Sequence, residues 1–148
     1  MENSDALALS AVLLAAAGEL TRRIHEGVVA RGFEGVRPVH GFVFARVAAE
    51  GASVGELAEY LGVTKQAASQ MVEELVRKGF VERRGRDGDG RVRVVVLTEL
   101  GWACARAAEE AAAEVVREWG AVVGEGELSG VREGLGRVVG GGVVRPVW

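Results

Sequence analysis

The spacing of apolar positions changes along the chain, and each change marks an element. From Asp5 to about Arg31, Leu7, Val12 or Leu14, Leu20 or Thr21, Ile24 and Val28 recur at near-helical spacing, with Ser4 or Asp5 as the expected N-cap. The first half of this stretch, ALALSAVLLAAAGEL, is apolar almost all round. A helix of that kind is buried on more than one side, and in a small protein this favours burial against a partner subunit over burial in its own core. Gly32, Gly35 and Pro38 interrupt the pattern, and a second helix is expected from Pro38 to about Glu50, with Gly51 ending it.

From Ser53 the elements shorten. Ser53 and Glu56 form the S-x-x-E pattern of a capping box, opening a short helix through Tyr60 or Leu61 with Leu57, Ala58 and Leu61 inward. Gly62 supplies a tight turn, Val63 plugs the corner, and Thr64 caps a second helix reaching Lys78 or Gly79. That helix turns Ala68, Met71, Val72 and Leu75 inward and Lys65, Gln66, Ser69, Gln70 and Glu73 outward. The period then drops toward two: Phe80 to Arg84 and Arg91 to Leu97 read as strands of a hairpin whose turn, GRDGDG, is rich in glycine and aspartate.

Thr98 caps a long helix expected over Glu99 to Val123, with Leu100, Ala103 or Cys104, Ala107, Ala111, Val115, Trp119 and Val122 on one face. A weaker helix follows from about Glu127 to Val139, with Leu128, Val131, Leu135 and Val138 inward. Gly130, Gly134 and Gly136 each cost it about 1 kcal/mol relative to alanine. It therefore needs tertiary or intersubunit packing. The apolar tail VVRPVW is expected to dock against the protein.

These elements make a mainly α protein with a small β-hairpin: a winged helix-turn-helix lobe over residues 38–98, carried by long terminal helices over 5–31 and 99–140, in one domain of residues 1–148. Charge sharpens the picture. The net charge is −3, yet the stretch Arg77 to Arg93 holds seven arginines and lysines against Glu82, Asp87 and Asp89. A local basic patch on an acidic body is an electrostatic footprint for DNA phosphates. A helix entering the major groove also needs short polar side chains near its N-terminus. Lys65 can donate to guanine, Gln66 and Gln70 can bond adenine in two places, and Ser69 can serve either base. Thr64 and the helix N-terminus suit a phosphate, Ser53 joins them as the cap of the first helix, and Arg86 and Arg91 of the wing are placed to reach the minor groove or its phosphates. Arg83, Arg84 and Arg93 are expected to make backbone contacts or structural pairs. Double-stranded DNA is the expected partner, and two reading helices about 34 Å apart require a homodimer.

The strings ELAEYLGVTKQAASQMVEELVRKGFVERR and DGR…VVLTELG, in this order of parts, resemble the MarR family of bacterial transcription regulators. The resemblance covers essentially the whole chain. It implies a winged-helix homodimer whose N- and C-terminal helices intertwine. It also implies binding of a palindromic operator, usually as a repressor, and release by a small anionic or phenolic ligand or by oxidation of a cysteine. The family's wing usually carries Asp-Arg-Arg before the second strand; here Asp89 and Arg91 match, but Gly90 stands at the central position. The resemblance further implies an effector pocket lined by the first, second and fifth helices. Candidates are Arg22, Arg23, His25, His40, Phe44, Arg46 and Trp102, with His40, Phe44 and Trp102 framing an aromatic ligand and an arginine such as Arg23 holding its carboxylate.

Other classes find less support. The two histidines form no H-x-x-x-H or H-E-x-x-H, no glycine-rich phosphate loop follows a strand, and GRDGDG lacks calcium-loop spacing, so no enzyme, metal site or cofactor is expected. The arginine excess argues against a winged helix that binds only proteins. Cys104 is expected to be a buried structural thiol. With no signal pattern and no apolar run approaching the ~20 residues of a span, the expected location is the cytoplasm, with no membrane partner.

Overall fold

The computed structural model describes residues 1–86 and 89–139 and contains eight elements: α1 (Asn3–Ala30), α2 (Pro38–Val47), α3 (Val54–Leu61), α4 (Lys65–Arg77), β1 (Val81–Arg86), β2 (Asp89–Leu97), α5 (Glu99–Val123) and α6 (Glu125–Val139). β1 and β2 pair antiparallel, with Val81 opposite Leu97 and Gly85 opposite Arg93; the register shifts between Gly85 and Arg86. Ala52 adds a single bridge to the outer side of β2 at Val95, tying the start of α3 to the hairpin.

Three helix starts follow from side-chain caps. Ser53 Oγ accepts from the Glu56 N–H at 3.1 Å, Thr64 Oγ1 from Ala67 at 3.1 Å, and Thr98 Oγ1 from Gly101 at 3.1 Å. Each satisfies one of the four N–H groups that a helix start leaves unpaired. Between α3 and α4 the chain turns at Gly62, whose φ of +68° is a left-handed value that a side chain would strain.

The core lies where α2, α3, α4, the hairpin and the adjoining ends of α1 and α5 meet. Phe44, Val47, Leu57, Leu61, Val72 and Leu75 are all buried there. Phe44 and Phe80 pack with ring centroids 5.9 Å apart at 40°. The second half of α1 lies along α5 at close range: a Cβ added to Gly27 would come 2.6 Å from the Ala111 Cβ. Arg23 pairs there with Glu118, and Arg31 with Glu110 and Glu114.

The terminal helices differ from expectation in what they bury. α1 starts at Asn3 with Glu2 as N-cap, because neither Ser4 nor Asp5 lies outside the helix. In its first half Leu7, Leu9, Val12, Leu13 and Leu14 are exposed. By length and composition α1 is apolar enough to cross a bilayer, and none of that apolar window is buried within the chain; the expectation that nothing approaches a span is corrected here. α2 ends at Val47 rather than Glu50, since Gly51, with φ +75°, already belongs to the turn into α3. On α5 Leu100 and Val122 are exposed, and the buried face runs through Gly101, Cys104, Ala107, Ala111 and Val115. α6 begins at Glu125 and buries no residue; Val131, Leu135 and Val138, expected inward, face outward. The VVRPVW tail and the middle of the hairpin turn lie outside the described residues.

Candidate nucleic-acid interface

The helix-turn-helix is held from behind. α4 seats Ala68, Val72 and Leu75 in the core, which leaves Thr64, Lys65, Gln66 and Gln70 exposed and Ser69 half-buried along its outer side. The five side chains placed on this helix from the sequence therefore sit on or beside one accessible flank near its N-terminus. Ser53 caps α3, where Arg46 braces the turn by donating to the Gly51 carbonyl at 3.3 Å and to Glu56 at 3.0 Å. At the other end, Thr98 Oγ1 donates to the Gly79 carbonyl at 2.5 Å and the Thr98 N–H donates to Phe80, so the end of α4, both strands and the start of α5 share one junction.

In the wing, Arg84 pairs with Glu82 on the same strand, as a structural pair. Arg83 and Arg93 are exposed. The side chains of Arg86 and Arg91, the expected minor-groove arginines, lie outside the described residues.

A second cluster, not anticipated from the sequence, fixes the back of α4. Glu74 accepts from Arg37 Nη2 at 2.7 Å and from Lys78 Nζ at 2.7 Å, and Lys78 also donates to the Gly35 carbonyl at 2.5 Å. Lys78 and then Arg37 hold the Glu74 carboxyl down to about 2. His40 lies directly beneath, fully buried. Its Nδ1 accepts the Arg37 backbone N–H at 2.9 Å, which caps α2. Nε2 then carries the proton; it stands 3.4 Å from Glu74 Oε2 without forming a hydrogen bond. Burial, followed by the charge of Arg37, pushes His40 down to about 4, so the ring is neutral at ordinary pH.

A cleft of about 1560 Å³ opens between α1, α2 and α4; Arg22, His25, Arg37, Phe42, Met71 and Arg77 are among its lining residues, and the flank of α4 reaches it at Gln70. The cleft holds part of the ligand-pocket set expected from the sequence. Of the wider candidate set, Arg22 and His25 line the cleft, whereas Arg23, His40, Phe44, Arg46 and Trp102 do not. His40 and Phe44 are core residues, and Arg23 is engaged with Glu118 on α5. Trp102 is exposed: α5 turns Gly101 toward Phe80, and the next residue points about 100° away. Cys104 is buried, and burial pushes its thiol up to about 11. No group of three or more metal-ligating side chains occurs among the described residues.

The arrangement defines a winged helix-turn-helix: a capped α3, a left-handed glycine turn, a second helix with a polar exposed flank, and an antiparallel hairpin. Residues 35–92 match the model of the MarR family. Solved structures share the fold over nearly the whole chain. A MarR family protein from Bacillus stearothermophilus aligns with a TM-score of 0.75 at 19% identity, covering 93% of this chain and 95% of that one. The transcriptional regulator BldR from Sulfolobus solfataricus aligns at 0.67 and 21% identity, over 94% and 98%. An S. aureus MepR variant bound to an oligodeoxyribonucleotide aligns at 0.60 and 16% identity, over 88% and 95%. No curated sequence matches the chain at a significant level.

Proposed function

We propose that this protein is a sequence-specific double-stranded DNA-binding transcription regulator, acting as a homodimeric repressor on a palindromic operator in the cytoplasm. The observation that carries the reading is the exposed flank of α4, with Lys65, Gln66, Ser69 and Gln70 beside a basic hairpin on an otherwise acidic chain. Lys65, Gln66, Ser69 and Gln70 read base edges, Ser53 and Thr64 position phosphates, and Arg86 and Arg91 serve the wing. The lobe over residues 38–98 reads, and the helices over 5–31 and 99–140 pair two copies. The exposed leucines and valines of α1 and α6 support that pairing, because a patch of this kind on one chain calls for cover. The MepR relative was solved with DNA, which agrees with the assignment.

The cleft behind α4 is the place for an effector. Its arginines, with His25, suit a carboxylate, and Phe42 and Met71 suit an aromatic body. An anion there competes with Glu74 for Arg37 and loosens the back of α4, releasing DNA.

A gel-shift assay with DNA from upstream of the protein's own reading frame tests the reading. A specific fragment is retained, and retention is lost on Gln66→Ala. Absence of binding below micromolar concentration at moderate salt would overturn it in favour of a protein-binding module. Sedimentation without detergent tests the dimer: wild type runs at twice the 15.6 kDa chain mass, whereas co-sedimentation with lipid vesicles would instead assign α1 to a bilayer. Titration calorimetry with a panel of aromatic acids tests the cleft, and loss of heat on Arg37→Gln is the expected result.

A further inference from the structure

Of the 18 lysines and arginines in the chain, only Lys65 and Lys78 are lysines. The distinction is chemical. A guanidinium keeps its proton and its charge, whereas a lysine amine can shed its proton and attack an activated acyl group. Acylation turns the cation into a neutral amide and removes its charged donor. Only these two of the cationic side chains can be switched off in this way. They stand at opposite ends of one helix: Lys65 opens α4, and Lys78 is its C-cap.

Both are exposed, and their partners separate them. Lys78 Nζ donates to Glu74 Oε1 at 2.7 Å and to the Gly35 carbonyl at 2.5 Å. Acylation there breaks both contacts and takes from Glu74 one of the cations that hold it. Lys65 makes no hydrogen bond or ion pair among the described residues. Its place also works against its charge. It is the first residue of α4, at the positive end of the helix dipole, and no acidic residue stands in that first turn to offset it. Within the folded chain the Lys65 charge is a misfit; its use lies on the outer flank of α4, where DNA is read. Neutralising it relieves the helix and weakens the DNA contact in one step.

We propose that Lys65 is an acylation site whose modification lowers DNA affinity while the lobe stays folded. The donor is an activated small acyl group, carried as an acyl phosphate or an acyl thioester. The Lys65 ammonium loses a proton to water, and the free amine attacks the carbonyl carbon. A C–N bond forms as the C–O bond to phosphate or the C–S bond to the thiol breaks, and the bonding pair leaves on the phosphate or thiolate. The second nitrogen proton passes to solvent, and a neutral amide remains. The effect on affinity rests on the DNA-binding reading above; the chemistry at Lys65 does not.

Peptide mapping by mass spectrometry tests the site. The full-length protein is incubated at mildly alkaline pH with acetyl phosphate in one arm and acetyl-coenzyme A in the other. Lys65 acetylates several-fold faster than Lys78, and the faster arm identifies the donor class. Equal rates, faster labelling of Lys78, or no labelling in either arm overturns the site. The consequence is read on the upstream fragment used in the gel-shift assay. Acetylated wild type binds it about tenfold more weakly, with a melting temperature equal to or above that of the untreated protein. Lys78→Arg loses as much affinity on treatment as wild type, whereas Lys65→Arg, whatever its starting affinity, loses nothing further. Bound fragment shields Lys65, and not Lys78, from acetyl phosphate. Protein acetylated at Lys65 that binds as before, or that melts lower, overturns the switch. Wild type that binds no DNA before treatment overturns the DNA-binding reading instead, and the mapped site is judged on its labelling alone.

Discussion

In the lobe, α4 seats Ala68, Val72 and Leu75 at 1% exposure or less; in α6 no residue is buried, and Val138 is 81% exposed. Both helices carry apolar residues at helical spacing, so periodicity alone does not tell them apart. The difference is what stands opposite. α4 faces α3, the hairpin and the cluster around Glu74, all from the same chain. Among the described residues, α6 touches the end of α5 but buries no residue, and Leu7, Leu9, Val12, Leu13 and Leu14 in the first half of α1 are exposed. The lobe closes its core with its own residues, whereas the terminal helices hold apolar surface that the other described residues leave in water.

The largest effects separate the two regions directly. Leu75→Ala empties a site in the lobe core and lowers unfolding stability by ~2–5 kcal/mol, read as a lower urea midpoint at every protein concentration. If α1 pairs two copies as proposed, Leu9→Asp with Leu13→Asp, one helical turn apart on its exposed face, leaves lobe packing intact but dissociates that dimer and weakens operator binding by about 100-fold or more, because one reading head meets only one half-site. Sedimentation equilibrium checks this. A doubly substituted protein that remains dimeric, or one that unfolds like Leu75→Ala, would erase the contrast.

Acid sharpens it next. His40 is held at about 4, against an ordinary value near 6.5, so the unfolded chain takes up its proton first as pH falls. Stability is therefore full above about pH 6.5 and declines toward pH 4, by an amount on the order of 3 kcal/mol. Glu74, held at about 2, adds a second loss between about pH 4.5 and 2. Both groups sit behind α4, so acid loosens the lobe rather than the helix pairing. Urea midpoints between pH 7.5 and 4 should fall for wild type and change less for His40→Gln; parallel curves would count against the buried neutral ring.

The parts of this architecture that were legible in the sequence are those coded by neighbours. Ser53, Thr64 and Thr98 each cap a helix through an N–H three residues ahead, and Gly62 makes its turn alone; α3, α4 and α5 could be placed to within one or two residues. The Glu74 cluster was not legible, because Arg37 and Glu74 are 37 positions apart and meet only when α2 folds across α4. The same holds for His40: its type suggested a ligand contact, while its burial depends on which way α2 rolls. The ring of Trp102 suggests a ligand contact, while Gly101 beside it, packed on Phe80, decides which side of α5 faces the core. In the wing, composition grouped Arg83, Arg84 and Arg93, and only the register set Arg84 apart.

Within the lobe, Gln66→Ala sets reading apart from folding. Gln66 is exposed on α4 and bears no part of the core. Its loss should cost ~1–3 kcal/mol of discrimination at one base pair, with the melting temperature unchanged. Competition between matched and single-mismatch duplexes measures this. A variant that weakens binding equally to all sequences would move Gln66 from base reading to backbone contact.

Cys104 gives the smallest expected effect and tests the boundary between the two regions, since it lies on α5 where that helix meets the lobe core. It is 1% exposed, and burial raises its thiol to about 11, so at neutral pH the thiolate that peroxide attacks is nearly absent. Peroxide treatment should leave DNA affinity unchanged in wild type and in Cys104→Ser alike. The serine variant should lose no more than ~1–3 kcal/mol of stability from placing a hydroxyl in an apolar site. If peroxide instead released DNA from wild type but not from Cys104→Ser, the thiol would have to become exposed in solution, and the α5 junction would have to open while the rest of the lobe stayed folded.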